Sequence, residues 1–310
     1  MLQSGLLGFG AFLVLKGELT AGAMIAASIL MGRGLAPVEA LIGNWATLQR
    51  GAESWRRFAG LPSMPTPPPI RHVRAPRVGL RVDGLSATAP GHRTPVLNDI
   101  SFSLAAGQAL GVIGPSGAGK STLARTLVGT WPQAAGRITI ETPNGRAKVG
   151  YLPQNMILFD GKVAENIAGL LPNPDMKKAV VAAKRAGAHD MILSLPDGYD
   201  TLLGGGVALS GGQAQRLCLA RAIYDDPLVL ILDEPNSSLD HDGTIALNSV
   251  IQGVKSAGGV AVVMTHRPAA IQECDMLLVL DNGRQRAFGP KPDVLADVVE
   301  NRDQLRTGAA

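Results

Sequence analysis

Two kinds of apolar run alternate along this chain. Residues 6–15 and 21–31 are long and almost free of polar side chains, interrupted only around Lys16, Gly17 and Glu18. Residues 228–232, 260–264 and 276–280 are five-residue aliphatic blocks bounded by polar or turn-forming residues. Blocks so short do not complete a globular helix, and their continuous apolar character fits strands of a parallel sheet covered on both faces. Val112 and Ile113 end a similar run, after which glycines lead into a helical pattern over 121–128. Short apolar strands alternate with turns over 77–112, and 158–223 reads as mostly helical. These elements predict an α/β core with a helical insertion.

The first sixty residues differ from the rest. Neither apolar run reaches the roughly 20 residues of a self-evident membrane span. The second nevertheless continues in helical pattern through Leu35, Leu41, Ile42, Trp45 and Leu48, with Arg33 and Glu39 expected to face other helices rather than lipid. Arg50, Arg56 and Arg57 cluster beyond it, as on a cytoplasmic flank. No basic stretch precedes the apolar run, so a secretory signal fits badly. The expectation is one to two transmembrane helices, and two soluble amphipathic helices are the alternative. Residues 61–76 are proline-rich, carry Arg71, His72 and Arg74, and read as an extended connector. The expected division is 1–60 helical, 61–76 connector, 77–300 core and 301–310 a fraying tail.

Composition narrows the function classes. The 310 residues accommodate one domain of about 200 residues plus a smaller segment. A formal charge of +4 and a pI near 9.2 raise nucleic acid as a partner. Lys and Arg are dispersed, however, and no basic patch interleaved with aromatics occurs, so no nucleic-acid partner is expected. Cys218 and Cys274 lack metal-ligand spacing and read as reduced thiols.

The sharpest chemistry lies in Gly114, Pro115, Ser116, Gly117, Ala118, Gly119, Lys120, Ser121 and Thr122. A strand that breaks into glycines and restarts as a helix turns backbone amides inward around an anion. Lys120 then reaches the β and γ phosphates of ATP, and the Ser121 hydroxyl ligates Mg²⁺. A plain Gly-rich turn does not account for Lys-Ser-Thr at the helix start. The block 228–232 delivers two carboxylates to that site: Asp233 for the Mg²⁺ shell, and Glu234 to orient and polarise the attacking water. A solvated acidic turn fits Asp-Glu in general but poorly after a buried strand. Ser210, Gly211 and Gly212 precede an alanine-rich helical stretch that starts at Gln213 and runs to Ile223, a second helix N-terminus suited to an anion.

The order and spacing of these pieces, with Leu-Ser-Gly-Gly-Gln following the phosphate loop by about ninety residues, resembles the nucleotide-binding domain of ABC ATPases. The resemblance implies roles for three more residues. Gln154 contacts Mg²⁺ and the attacking water, Asp240 lines the contact between two ATPase domains, and His266 contacts the γ-phosphate. It also implies that Ser210, Gly211, Gly212 and Gln213 bind the γ-phosphate held by the loop of a second copy, so that the complete site needs a head-to-tail dimer. Residues 17–45 resemble the turn after the fifth membrane helix and the sixth membrane helix of type I secretion exporters, and Asp-Glu-Pro-Asn-Ser-Ser-Leu-Asp over 233–240 resembles that subgroup. The resemblance implies a P-loop ABC ATPase with a helical subdomain, cytoplasmic but tethered to a bacterial inner membrane. It would hydrolyse Mg-ATP to export an unfolded protein through a periplasmic adaptor and an outer-membrane pore.

Such exporters carry further membrane helices, and Met1 aligns within the fifth, so an N-terminally truncated chain that works with the remaining membrane helices is expected. Ala89 stands where many ABC proteins stack a ring on adenine, and 203–207 lacks a glutamate that touches the membrane domain in exporters. Looser base selectivity and altered coupling are the expectation. A non-transport ABC ATPase, and a remnant that binds ATP without transporting, are the alternatives.

Overall fold

The computed structural model describes residues 2–60, 70–90, 94–171, 173–204, 209–266 and 268–297. Most of the expected connector, the tail 301–310, Gly91 and residues 205–207 lie outside them. The chain divides into two units, Met1–Pro65 and Thr66–Ala310.

The first unit is helical: α1 (Leu2–Leu15), α2 (Ala21–Gly43) and α3 (Trp45–Gly60). Gly17, at φ +77°, turns the chain after α1, and the Thr20 hydroxyl caps α2 by accepting from the Ala23 N–H at 3.2 Å. α1 and α2 approach closely at Gly10, where a Cβ would lie 2.8 Å from Met24 Cγ. Of the described helices, α2 alone is long and apolar enough to cross a membrane, with mean hydropathy 1.5 and no buried residue. The 14 residues of α1 reach only about 21 Å at 1.5 Å per residue. The helical pattern does continue past residue 43, but Asn44, at ψ 8°, separates α2 from α3. Arg33 and Glu39 are both exposed.

The second unit is built on a ten-stranded sheet. Its elements in chain order are β1 (Arg71–Arg74), β2 (Gly79–Thr88), β3 (Pro95–Ala105), β4 (Ala109–Ile113), α4 (Lys120–Leu127), β5 (Gln133–Thr142) and β6 (Val149–Leu152). The insertion follows with β7 (Gly161–Lys162), α5 (Val163–Ile167), α6 (Met176–Arg185), α7 (His189–Leu193), β8 (Leu202–Leu203) and α8 (Gly211–Ile223). Then come β9 (Val229–Asp233), α9 (His241–Ser256), β10 (Val260–Met264), β11 (Met276–Asp281) and β12 (Arg284–Pro290). The strand order is β1-β5-β2-β3-β12-β11-β4-β10-β9-β6.

Sequence pattern decides position in this sheet. β4, β10 and β9, apolar throughout except for Asp233 at the end of β9, are neighbours, run parallel, and are buried on both faces. β3 alternates buried and exposed residues, as a half-covered antiparallel strand does, and pairs with β2. Alternate residues of the central strands feed two cores. Leu230, Leu232, Ala261 and Val263 join the insertion and α9, whereas Val229, Ile231, Val260 and Val262 join α4, β2 and β3. β11 and β12 form a hairpin around Asn282 and Gly283, whose φ of 48° and 73° an Asn-Gly turn tolerates.

One expectation needs correction. Arg71–Arg74, placed in the connector, is a strand that pairs in parallel with β5, so the sheet begins ahead of residue 77. Backbone pairing makes it a strand, since all four side chains are exposed and no apolar face marks it. The insertion is mostly helical as expected, with the short pair β7 and β8 inside it. Arg221 of α8 holds the insertion together: it donates to the Asn166 carbonyl at 2.7 Å, to Asn166 Oδ1 at 2.8 Å and to the Ile157 carbonyl at 2.9 Å. Cys218 and Cys274 are buried free thiols, and burial pushes Cys274 up to about 12, so neither is poised as a thiolate.

Candidate active site

The carboxyl ends of β4, β9 and β10 meet at one edge of the sheet, where Met264 pairs with both Val112 and Asp233. Open α/β sheets bind ligands at such edges. β4 runs into the glycine loop, where Gly117 and Gly119 have φ of 81° and 100°, conformations open to glycine without a side-chain clash. Gly119 is the N-cap of α4 and supplies no side-chain hydrogen bond, so the first-turn amides of α4 have no capping side chain. Lys120 is 7 % exposed and donates from Nζ to the carbonyls of Gly114 (2.8 Å) and Pro115 (3.0 Å), which holds the ammonium over the loop.

Oxygen atoms converge beside this loop. Ser121 Oγ lies 3.0 Å from Asp233 Oδ1 and 3.4 Å from Gln154 Oε1, and its single hydrogen goes to the nearer carboxylate. Asp233 is 1 % exposed and its Oδ2 has no hydrogen-bond partner among the described residues. Burial pushes its carboxyl above the usual range, the Ser121 hydrogen bond opposes this, and the Glu234 charge adds to it. A hydroxyl, an amide oxygen and a carboxylate with a bare buried lone pair suit a hard divalent cation. Among the described residues, no group of three His, Cys, Asp or Glu side chains offers another centre.

The raised carboxyl has a testable consequence. The folded chain binds this proton more tightly than the unfolded chain, so stability falls as pH rises from the ordinary carboxylate range through the raised folded value, and the deficit persists above it. In a chelator and without nucleotide, Asp233→Asn is expected to raise the melting temperature at neutral pH. The gain disappears in acid, where the carboxyl is protonated in both states. Melting curves at the two pH values check this, and an equal shift at both would contradict it.

Glu234 follows with φ +53°, a conformation that costs a non-glycine residue about 1–2 kcal/mol. Its N–H donates to the Met264 carbonyl at 2.9 Å, and its Oε1 lies 2.9 Å from His266 Nδ1. A cleft of about 230 Å³ is lined by Val96, Ser116, Gly117, Gly119, Lys120, Ser121, Thr122, Gln154 and Glu234. The phosphate loop and Gln154 thus share one cleft with Glu234, Asp233 adjoins through Ser121, and His266 adjoins through Glu234. A larger cleft of about 420 Å³ runs beside β6 and contains none of these residues.

Five predicted site residues lie elsewhere: Ser210, Gly211, Gly212, Gln213 and Asp240 do not line the cleft. Ser210 and Gln213 form a reciprocal cap on α8, the Ser210 hydroxyl accepting from the Gln213 N–H at 3.3 Å and Gln213 Oε1 accepting from the Ser210 N–H at 2.9 Å. Asp240 caps α9 by accepting from the Gly243 N–H at 2.9 Å and is ion-paired with Arg216; these contacts hold its carboxyl below the usual range. Ala89 does not line the cleft either, whereas Val96 does.

Sequence reading missed Val96, Arg125 and Gln215. Arg125 acts electrostatically on Asp233 and sits over the Trp131 ring. Gln215 carried a signal, because it shares a helical face with the buried Leu219 and Ala222, and a polar residue on an apolar stripe needs a built partner.

Residues 97–237 match the family model described as ABC transporter. The chain carries an ABC transporter domain. It is 44 % identical over 99 % of its length to the type I secretion system ATP-binding protein PrsD of Rhizobium meliloti, covering 55 % of that protein. It is 32 % identical to the toxin RTX-I translocation ATP-binding protein of Actinobacillus pleuropneumoniae, over 93 % of this chain and 42 % of that one. With the cyclolysin secretion/processing ATP-binding protein CyaB of Bordetella pertussis it shares 33 % identity, over 94 % of this chain and 42 % of that one. The chain thus spans about half the length of the curated relatives it matches. A solved bacterial Atm1-family ABC exporter with ATP bound superposes with a TM-score of 0.69 at 29 % identity, over 100 % of this chain and 56 % of that one. An ABC transporter domain with an intact phosphate loop binds ATP, and this chain is an ATP-binding ABC protein.

Proposed function

We propose that this chain is the ATPase portion of a type I secretion exporter and hydrolyses Mg-ATP as a head-to-tail pair. The observation that carries the reading is the convergence of Lys120, Ser121, Gln154, Asp233, Glu234 and His266 at one sheet edge. In it, the loop amides and Lys120 hold the phosphates of ATP. Ser121, Gln154 and Asp233 hold Mg²⁺, which when bound neutralises charge on the phosphates. Glu234 accepts a proton from the attacking water, and His266, steadied through its Nδ1, faces the γ-phosphate.

The pairing follows from a division within the chain. The Ser210 end of α8 is a preorganised, uncharged helix N-terminus, and it lies away from the cleft of its own chain. A second copy brings that end, with Asp240, to the phosphates held by the first. The relatives' names, a type I secretion and a toxin translocation ATP-binding protein, support a secreted protein as the cargo class. A periplasmic adaptor, an outer-membrane pore and the inner membrane belong to the proposed secretion reading, with α2 as the membrane anchor.

The test is hydrolysis as a function of chain concentration. Specific activity is expected to rise with concentration and to fall to background with a divalent-cation chelator. A specific activity independent of concentration would remove the paired site.

A further inference from the structure

Between β9 and α9 the chain runs from Glu234 through Pro235 and Ser238 to Asp240. Consecutive side chains of α8 hold this short loop from behind. Gln215, 1 % exposed, donates from Nε2 to the Pro235 carbonyl and accepts the Ser238 N–H on Oε1 at 3.0 Å. Arg216 is ion-paired with Asp240. Gly212 lets the helix close on the loop, since a Cβ there would lie 2.9 Å from the Ser238 carbonyl oxygen. A buried amide is tolerated only while both of its ends are bonded, and both partners here are backbone groups just past Glu234 rather than groups of its own helix. Glu234 itself is held at φ +53°, which persists only when its surroundings over-determine it. Its N–H bond to Met264 fixes one side of the residue; on the other, its carbonyl accepts from the Ser237 N–H at 3.3 Å, and Gln215 holds the Pro235 and Ser238 backbone around that turn.

We propose that Gln215 is a positioning residue: it keeps Glu234 in its strained conformation and ties it to the Ser210 end of α8. The proposal rests on the reading of Glu234 as the group that activates water. Through this amide, a shift of α8 reaches the carboxylate directly, and neither the phosphate loop nor the cation ligands are involved.

The experiment compares steady-state hydrolysis and trinitrophenyl-ATP affinity in the full chain for Gln215→Met, Glu234→Gln and the double variant. Methionine fills the space and removes both hydrogen bonds. The expected result for Gln215→Met is a kcat lower by about tenfold, with KM and analogue affinity within about twofold. The double variant is expected to match Glu234→Gln alone, because nothing is left to position. A kcat within about twofold of the parent, or a double variant slower than Glu234→Gln by a further factor of about ten, overturns the proposal. If Glu234→Gln itself hydrolyses at the parent rate, the fault lies in the role given to Glu234. Should Gln215→Met fail to fold, Gln215→Glu replaces it. Its carboxylate repels the Pro235 carbonyl at neutral pH and bonds it once protonated, so activity relative to the parent rises as pH falls, and a flat ratio overturns the proposal.

Discussion

Glu234→Gln is expected to lower steady-state hydrolysis about a thousandfold while leaving ATP binding intact. The amide keeps the size of the side chain, and one of its ends still faces His266 Nδ1, now 2.9 Å from Oε1. What disappears is the capacity to take a proton from water, and general-base catalysis contributes about 10²–10⁴ in rate. Binding survives because the groups assigned to the phosphates, the loop amides and Lys120, are untouched. The variant should also pair more persistently in ATP, since hydrolysis would no longer release the second copy. Rates from phosphate release and affinities from trinitrophenyl-ATP titration separate the two effects. A rate within about tenfold of the parent would exclude Glu234 as the base.

Gly114→Ala is expected to destroy nucleotide binding and to destabilise the chain by about 3 kcal/mol or more. A Cβ at Gly114 would lie 2.1 Å from the Leu280 carbonyl oxygen, at the end of β11. No side chain is present to swing away, so one of two backbone segments must move. Neither has freedom to do so. The Gly283 N–H donates to the Ala118 carbonyl at 3.1 Å, which fastens the β11–β12 hairpin to the loop, and the Asn98 N–H donates to the Gly283 carbonyl at 2.8 Å. Melting with and without ATP reads both effects. Ligand binding to the native state raises the parent's melting temperature, whereas the variant should melt lower and show no ATP shift.

How far the sequence could be read depended on what the signal was. β9 and β10 were legible because burial on both faces leaves an unbroken aliphatic block. The phosphate-loop helix was legible because a glycine run must yield to Lys-Ser-Thr. The start of α8 was read at Gln213, yet the helix begins at Gly211, because the Ser210 cap offsets the poor helix propensity of two glycines. β1 was invisible, having no apolar face, and so were β7 and β8, with two residues each. In the site, Lys120, Ser121, Asp233 and Glu234 were legible because each chemistry is carried by adjacent residues of one motif. Gln154 and His266 required the family resemblance. Val96 and Arg125 needed tertiary geometry, since each reaches the site from an element whose local sequence serves the core.

The carboxylate pair at the end of β9 also bears on whether this chain is a disused relic. Asp233 is held in a place that favours its neutral form, and Glu234 in a rotation that favours glycine. Each is therefore a position where one particular change, an amide at 233 or a glycine at 234, relaxes the fold. Drift without selection for turnover runs downhill at such positions, and a chain released from its task would shed these two acids early. An intact Asp-Glu pair joined to a bonded histidine therefore favours the proposed hydrolase over a remnant that only binds ATP.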